Sequence, residues 1–268
     1  MSEATAAASW RLEGMKAIAV EAGRTALQSL GRHGDVGAEQ KGPRDFQTAS
    51  DRLAETTIVA GLRKLDPEAG IWGEEGMGDR EGEGRRYIID PIDGTTNFAW
   101  GIPHFGIVIS YEEAGEIIAG VVYDPSMDEL FAAETGKGAT LNGQPLSVVP
   151  NDDPVNALFG AGLPVPGQVV SVPEEAYHRA LRRMMDTSSG VRRLGSSALS
   201  IAWVAAGRLD GFIEDGLSHI DMGASVLILR EAGGIVTDFA GNERLAEPSA
   251  ICAATPGLHP WLAAALRD

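Results

Sequence analysis

Apolar and polar positions divide the chain into helical and strand-like stretches. Over 10–30, apolar residues recur at helical spacing (Leu12, Met15, Ile18, Ala19, Ala22, Ala26, Leu30), and Gly31 suits a stop. Residues 31–44 are rich in Gly and charge and are expected to form a loop holding Lys41. A second helix is expected over 50–65, with Leu53, Thr57, Ala60 and Leu65 on one side and Asp66-Pro67 at its end. Ser50 can cap it, and Thr48 with Asp51 matches a loose capping box. A short strand over 70–76 runs into Glu74-Glu75-Gly76, and 77–86 is expected to be an exposed loop. Strands over 87–89, 105–111, 117–123 and 130–133 follow, the last three as a meander with a turn at 112–115. Gly136-Lys137-Gly138 and Asn142-Gly143 are further turn signals.

Around 151–173 the composition shifts to Pro, Asp and Gly, which places a join near Pro150. Beyond it helices are expected over 174–185, 195–206, from Asp221 through Leu229, and over 258–266. Strands are expected over 191–194, 211–214, 235–238 and 251–253. No internal repeat is evident. The reading is one domain, 1–268, in two approximate halves, 9–150 and 151–268, each mixing helix and strand.

Composition narrows the function classes. With 268 residues and 44% apolar content, the chain has ample material for a core. A formal net charge of −16 and no Lys/Arg-rich run exclude nucleic-acid binding through a basic surface. An acidic protein that holds a phosphate needs bound divalent cations to do so. Cys252 is the single cysteine, so no disulfide forms within the chain, which suits a reducing cytoplasm. Its apolar neighbours place it in a buried strand. No secretory pattern opens the chain, and no apolar run approaches the roughly 18 residues that span a bilayer. The expectation is a soluble cytoplasmic protein with neither membrane nor nucleic acid as partner.

Candidate chemistry centres on Ile88-Ile89-Asp90-Pro91-Ile92-Asp93-Gly94-Thr95-Thr96-Asn97-Phe98. An apolar run leads into two carboxylates three residues apart, with Pro91 locking the turn. Gly94 and Thr95-Thr96 then open a short helix, whose free N–H groups suit an anion. A plain turn with Asp93 as helix cap accounts for part of this pattern. An EF-hand loop does not: Ile92 stands where Asp or Asn is required, and position twelve is Gly101 rather than Glu. A phosphatase with an aspartyl nucleophile is a closer competitor, but Pro91 falls where its first Asp would stand. Two more acidic features occur at similar joins: Glu74-Glu75, and Glu214 with Asp221. At an effective dielectric near 20, two carboxylates about 4 Å apart repel by roughly 4 kcal/mol. A converging set therefore needs protons or a metal. Oxygen ligands without nearby His or Cys favour Mg²⁺ or Mn²⁺ over zinc.

These motifs resemble the inositol monophosphatase family. Gly73-Glu74-Glu75, the Asp90 to Phe98 stretch, and Asp221 opening a helix that closes on Glu231-Ala232-Gly233-Gly234 occur in the family's order. Asp45 to Asp51 matches its Asp-x-x-Thr-x-x-Asp pattern. The resemblance runs from about Trp10 to the last helix. It implies an α+β fold, a layered α/β sandwich of the inositol monophosphatase-like sugar phosphatase type. It also implies Mg²⁺-dependent, lithium-sensitive phosphomonoester hydrolysis by a cytoplasmic homodimer, with two or three ions and Mn²⁺ as a possible substitute. By resemblance the metal ligands are Glu74, Asp90, the Ile92 carbonyl, Asp93 and Asp221. Asp51 and Thr95, with Glu74, serve the attacking water. The amides of Gly94 and Thr95, beside Asp93, hold phosphate, and Gly195, Ser196, Ser197 and Glu214 face the alcohol. The family usually has Trp before the last metal-binding Asp; here Ile220 stands there, which alters the pocket.

The chemistry agrees with this resemblance. Phosphomonoester hydrolysis needs a nucleophilic water at neutral pH and compensation of charge on the leaving oxygen, and divalent cations supply both. No activated Ser, Cys or His nucleophile is evident; of the five histidines only His104 and His219 lie near the motifs. The leading expectation is inositol-1-monophosphatase activity on a small sugar or polyol phosphate. Fructose bisphosphate, histidinol phosphate, a nucleotide 3′-phosphate or NADP are alternatives within the same chemistry. A non-catalytic regulator that binds metal or ligand is the alternative from another class.

Overall fold

The structure is a computed structural model, and it describes residues 9–30, 39–42, 45–47, 49–78 and 84–267, with side chains outside 39–47. The expectations for Thr48 and for the side chain of Lys41 lie outside the described residues.

In chain order, the first stretch contains α1 (Trp10–Gln28), β1 (Glu39–Gly42), β2 (Asp45–Gln47), α2 (Ala49–Leu65), β3 (Gly70–Gly73), β4 (Arg85–Asp93) and α3 (Thr95–Ala99). A meander follows: β5 (Gly106–Glu113), β6 (Glu116–Asp124), β7 (Glu129–Glu134), β8 (Ala139–Leu141) and β9 (Gln144–Leu146). The rest is β10 (Leu158–Ala161), α4 (Glu174–Thr187), β11 (Gly190–Arg192), α5 (Ser197–Ala205), β12 (Gly211–Leu217), α6 (His219–Glu231), β13 (Ile235–Thr237), β14 (Ser249–Ala254) and α7 (His259–Arg267).

Strands β3 to β9 form a seven-stranded sheet in sequence order, parallel between β3 and β4 and antiparallel thereafter. Strands β10 to β14 form a second sheet, ordered β11-β10-β12-β14-β13. Its three strands β11, β10 and β12 run parallel, and β14 is antiparallel to both neighbours.

Alternation along the strands sets the layers. On β5 and β6, Ile107, Ile109, Val121 and Tyr123 pack against α1 and α2, through Met15, Ile18, Ile58 and Leu62. The residues between them, Val108 and Val122, face the opposite side and meet Leu199 of α5 and Met222 and Ile228 of α6. On the second sheet Phe212, Ile251 and Ala253 face that same central helix pair, while Ile213, Cys252 and Ala254 pack on Tyr177, Met184 and Leu262 of α4 and α7. The result is five layers: helices, sheet, helices, sheet, helices. Both sheets are covered on both faces, which is why their strands read as apolar runs rather than as alternation. No described helix is long and apolar enough to cross a membrane.

Three local readings need correction. Part of the expected 31–44 loop forms β1, which pairs antiparallel with β2. Such a short hairpin is held by backbone pairing and leaves no hydrophobic alternation to read. β10 falls inside 151–173, where the shift to Pro, Asp and Gly gave no strand signal; it has only four residues, but it lies between β11 and β12. β4 begins at Arg85 rather than Tyr87, and β5 continues to Glu113, because Arg85 to Tyr87 pair with Tyr111 to Glu113.

Candidate active site

The end of β4, the start of α3, the turn after β3 and the N-termini of α2, α5 and α6 bring the acidic features together. Gly94 joins β4 to α3 with φ +99°, a left-handed conformation open to glycine at little cost. A Cβ there would lie 3.1 Å from the Gly195 carbonyl oxygen and 3.2 Å from that of His104. The turn is thus pressed against the approach to α5. Asn97, one turn into α3, is buried and donates through Nδ2 to His104 O at 2.8 Å and to Leu194 O at 2.7 Å.

Asp90 is almost fully buried, and its Oδ1 accepts the Ile92 N–H at 2.9 Å. Burial raises its carboxyl well above the usual range, and the charges of Glu74, Asp93 and Asp221 push it further. Glu74 lies near enough to Asp90 for its charge to be the first of these. Carboxylates so placed persist only with a shared proton or a cation between them. Asp93 is also buried. Its Oδ2 accepts from Ser196 Oγ and from Ala198 N–H at 2.8 Å, and its Oδ1 from Ser197 N–H at 3.3 Å. Burial pushes the Asp93 carboxyl up to about 7 against the pull of Ser196, and Asp221 adds repulsion.

Asp221 sits third in α6, not at its start. Ser218 caps the helix, and Asp221 Oδ2 accepts the Ser218 N–H at 2.6 Å, which completes a capping box. Burial raises its carboxyl while that N–H lowers it. The residue therefore has a structural duty as well as its place beside Asp90 and Asp93. Ile220, before it, is buried.

Thr95 Oγ1 lies 3.3 Å from Asp51 Oδ1 and 3.1 Å from Ile92 O. A hydroxyl has one proton, so only one of these bonds forms at a time. Asp51 is fully buried in the first turn of α2. Asp51, Glu55, Ile58 and Leu62 share one buried face of this helix, which turns from apolar to acidic as it nears the site.

On the other side a cavity of about 50 Å³ is lined by Arg193, Gly195, Ser196, Ser197, Phe212 and Glu214, among others. Ser197 Oγ donates to Glu214 Oε2 at 2.6 Å, and Gln168 Nε2 approaches Oε1 at 3.5 Å. Burial raises the Glu214 carboxyl, Ser197 opposes this, Asp221 adds to it and Arg193 counters it. Ser196 also lines this cavity, and its hydroxyl serves Asp93 and accepts the Leu199 N–H as cap of α5.

Among the described residues no group of three His, Cys, Asp or Glu side chains stands already gathered as a metal cage. The donor set nonetheless has the chemistry of a hard-cation site. Its members are oxygen ligands only, and their mutual repulsion at Asp90 is what a cation would relieve. Sequence reading left three residues here without a role: Glu55, Asn97 and Gln168. Glu55 had a signal, standing four residues after Asp51 on the buried face of α2. Asn97 stood within the central motif, but its partner Leu194, like the partners of Gln168, is distant in sequence and left no mark.

Comparisons with known proteins agree with the fold. The model of the inositol monophosphatase family matches residues 7–268. An inositol-1-monophosphatase of Mesorhizobium japonicum is 42% identical over 244 residues, covering 89% of each chain. Nus factor SuhB of Pseudomonas aeruginosa is 40% identical over 249 residues, covering 90% of this chain and 92% of the other. The crystal structure of extragenic suppressor protein suhB from Bartonella henselae superposes with a TM-score of 0.91 at 39% identity, covering 97% and 99% of the two chains. With a family model spanning nearly its whole length and this layered fold, the chain belongs to the inositol monophosphatase family.

Proposed function

We propose that the protein is a metal-dependent phosphomonoester hydrolase acting on inositol 1-phosphate or a closely similar polyol monophosphate. The observation that carries the proposal is the meeting of the acidic motifs at the end of β4: Asp90 and Asp93 are both buried there, Thr95 Oγ1 stands 3.3 Å from Asp51 Oδ1, and the charges of Glu74 and Asp221 act on the Asp90 carboxyl. Glu74, Asp90, Asp93, Asp221 and the Ile92 carbonyl would hold Mg²⁺, two or three ions, with Mn²⁺ as substitute. Bound there, the cations would supply a nucleophilic water at neutral pH and charge compensation for the leaving oxygen.

The chain's own groups do the positioning. With its proton turned to Asp51, Thr95 Oγ1 presents lone pairs that orient a water and pass its proton toward Asp51 Oδ1. The backbone N–H groups of Gly94 and Thr95 hold phosphate oxygens, and Asp93 borders them. Ser197 and Glu214, with Gly195 beside them, meet substrate hydroxyls in the adjoining cavity. In-line displacement at phosphorus needs such placement more than covalent chemistry. A homodimer, a cytoplasmic location, lithium sensitivity and the division into halves at 9–150 and 151–268 belong to the same proposal.

The relative named Nus factor SuhB supports a second reading, a binding role. A phosphate-release screen across a panel of phosphomonoesters with Mg²⁺ separates the two. The hydrolase reading expects turnover, highest on inositol 1-phosphate or another polyol monophosphate. Absence of turnover on every member would favour the binding role.

A further inference from the structure

Glu55 has no task in the hydrolysis reading, yet it is a fully buried carboxylate one helical turn from Asp51. A buried charge is costly unless it is hydrogen-bonded. Both oxygens of Glu55 accept backbone N–H groups from the turn after β3: Oε2 from Glu75 and Oε1 from Met77, each at 2.9 Å. Gly73 leaves room for this contact, since a Cβ there would collide with Glu55 Oε1. On the other side the Glu74 N–H donates to Ile89 O at 3.2 Å. Glu74 is therefore the residue held between the β4 backbone and the Glu55 carboxylate.

This turn would be pliant without such anchors. It contains Gly73, Gly76 and Gly78, and the last two have φ of +82° and +114°. Glycine gives a turn many conformations, and ordering them at the moment of binding weakens affinity. Glu55 removes that freedom in advance. It also ties the turn to the helix that carries Asp51, so α2 sets the spacing between the Asp51–Thr95 pair and Glu74.

We propose that Glu55 is a positioning residue that preorganises the Glu74 turn for cation binding. The proposal rests on the metal-dependent reading above. It is tested by calorimetric titration of metal-free wild type and Glu55→Gln with Mg²⁺. The Gln variant keeps the side-chain size but turns an amide N–H₂ toward a backbone N–H. The expected result is a Kd for Mg²⁺ raised roughly 10–100-fold, as for other outer partners of metal ligands. Hydrolysis by the variant should need more Mg²⁺ while kcat at saturating Mg²⁺ returns toward wild type. An unchanged Kd in the variant, with wild type binding normally, overturns the role of Glu55 and leaves the hydrolase reading intact. Wild type that binds no Mg²⁺ overturns both. If Glu55→Gln does not fold, hydrogen exchange on metal-free wild type decides: slow exchange at the Glu75 and Met77 amides supports the proposal, and exchange at the rate of an open loop overturns it.

Discussion

Ser196 donates its hydroxyl proton to Asp93 across 103 residues of sequence and so fastens the start of α5 to the end of β4. The same oxygen accepts the Leu199 N–H at 3.2 Å, so one side chain both caps α5 and holds a carboxylate of the candidate metal site. Ser196→Ala should remove both. Loss of a cap costs about 0.5–2 kcal/mol, and a buried acceptor left short of a donor costs about 1–3 kcal/mol. Urea unfolding should show a lower midpoint with an unchanged m-value, and Ser196→Thr should restore most of it. An unchanged midpoint in Ser196→Ala would contradict the arrangement.

The Asp51–Thr95 contact separates a catalytic from a merely structural Asp51. If the pair orients the water, Thr95→Ala and Asp51→Asn should each lower kcat by about 10²–10⁴-fold. The double variant should be far less active than wild type yet well short of the product of the single effects. Multiplicative effects would mark Asp51 as a helix-start residue acting apart from Thr95.

Substrate choice should depend on Glu214. Its Oε2 already accepts from Ser197 at 2.6 Å, so it faces the cavity with a fixed orientation. A carboxylate there accepts hydrogen bonds from hydroxyls and repels a second phosphate. Loss of a charge-assisted hydrogen bond costs roughly 1.5–3 kcal/mol, or about 10–150-fold. Glu214→Gln should lower kcat/KM for inositol 1-phosphate by about that factor and leave an aryl phosphate nearly unaffected. Equal losses on both substrates would place Glu214 in support of the metal site instead.

The legibility of this chain follows from the range of its interactions. The Asp90 to Asp93 turn was readable because an apolar strand, a proline and a glycine lie within a few residues of both carboxylates. The helix carrying Asp221 was readable from its apolar run, but its start at His219 was not, because the cap is Ser218 and Asp221 is the third residue of a capping box. β10 was hidden because four residues between turn formers carry little pattern, and its place depends on strands about 30 and about 50 residues ahead in sequence. Glu55 acts on backbone N–H groups about 20 residues away, and backbone donors leave no mark on a sequence.

His104 provides a pH test outside the carboxylate cluster. Its ring stands edge-on to Trp203 at 5.0 Å, and burial lowers its pKa below the usual 6.5. On acidification the unfolded chain therefore takes up this proton before the folded one. The stabilisation is complete above pH 6.5 and is lost as pH falls below it. His104→Gln cannot charge, so the Tm of wild type should drop relative to the variant between about pH 7 and pH 5. A Tm difference independent of pH would contradict this account of His104.

The central claim is that a cation held by Glu74, Asp90, Asp93 and Asp221 is needed for hydrolysis, and phosphate release after metal removal tests it most directly. The purified protein would be stripped of divalent ions with a chelator and assayed on inositol 1-phosphate before and after Mg²⁺ is returned, beside Asp93→Asn. The account predicts no release from the stripped protein, recovery with Mg²⁺, and no recovery in folded Asp93→Asn. Full activity after exhaustive chelation would contradict it.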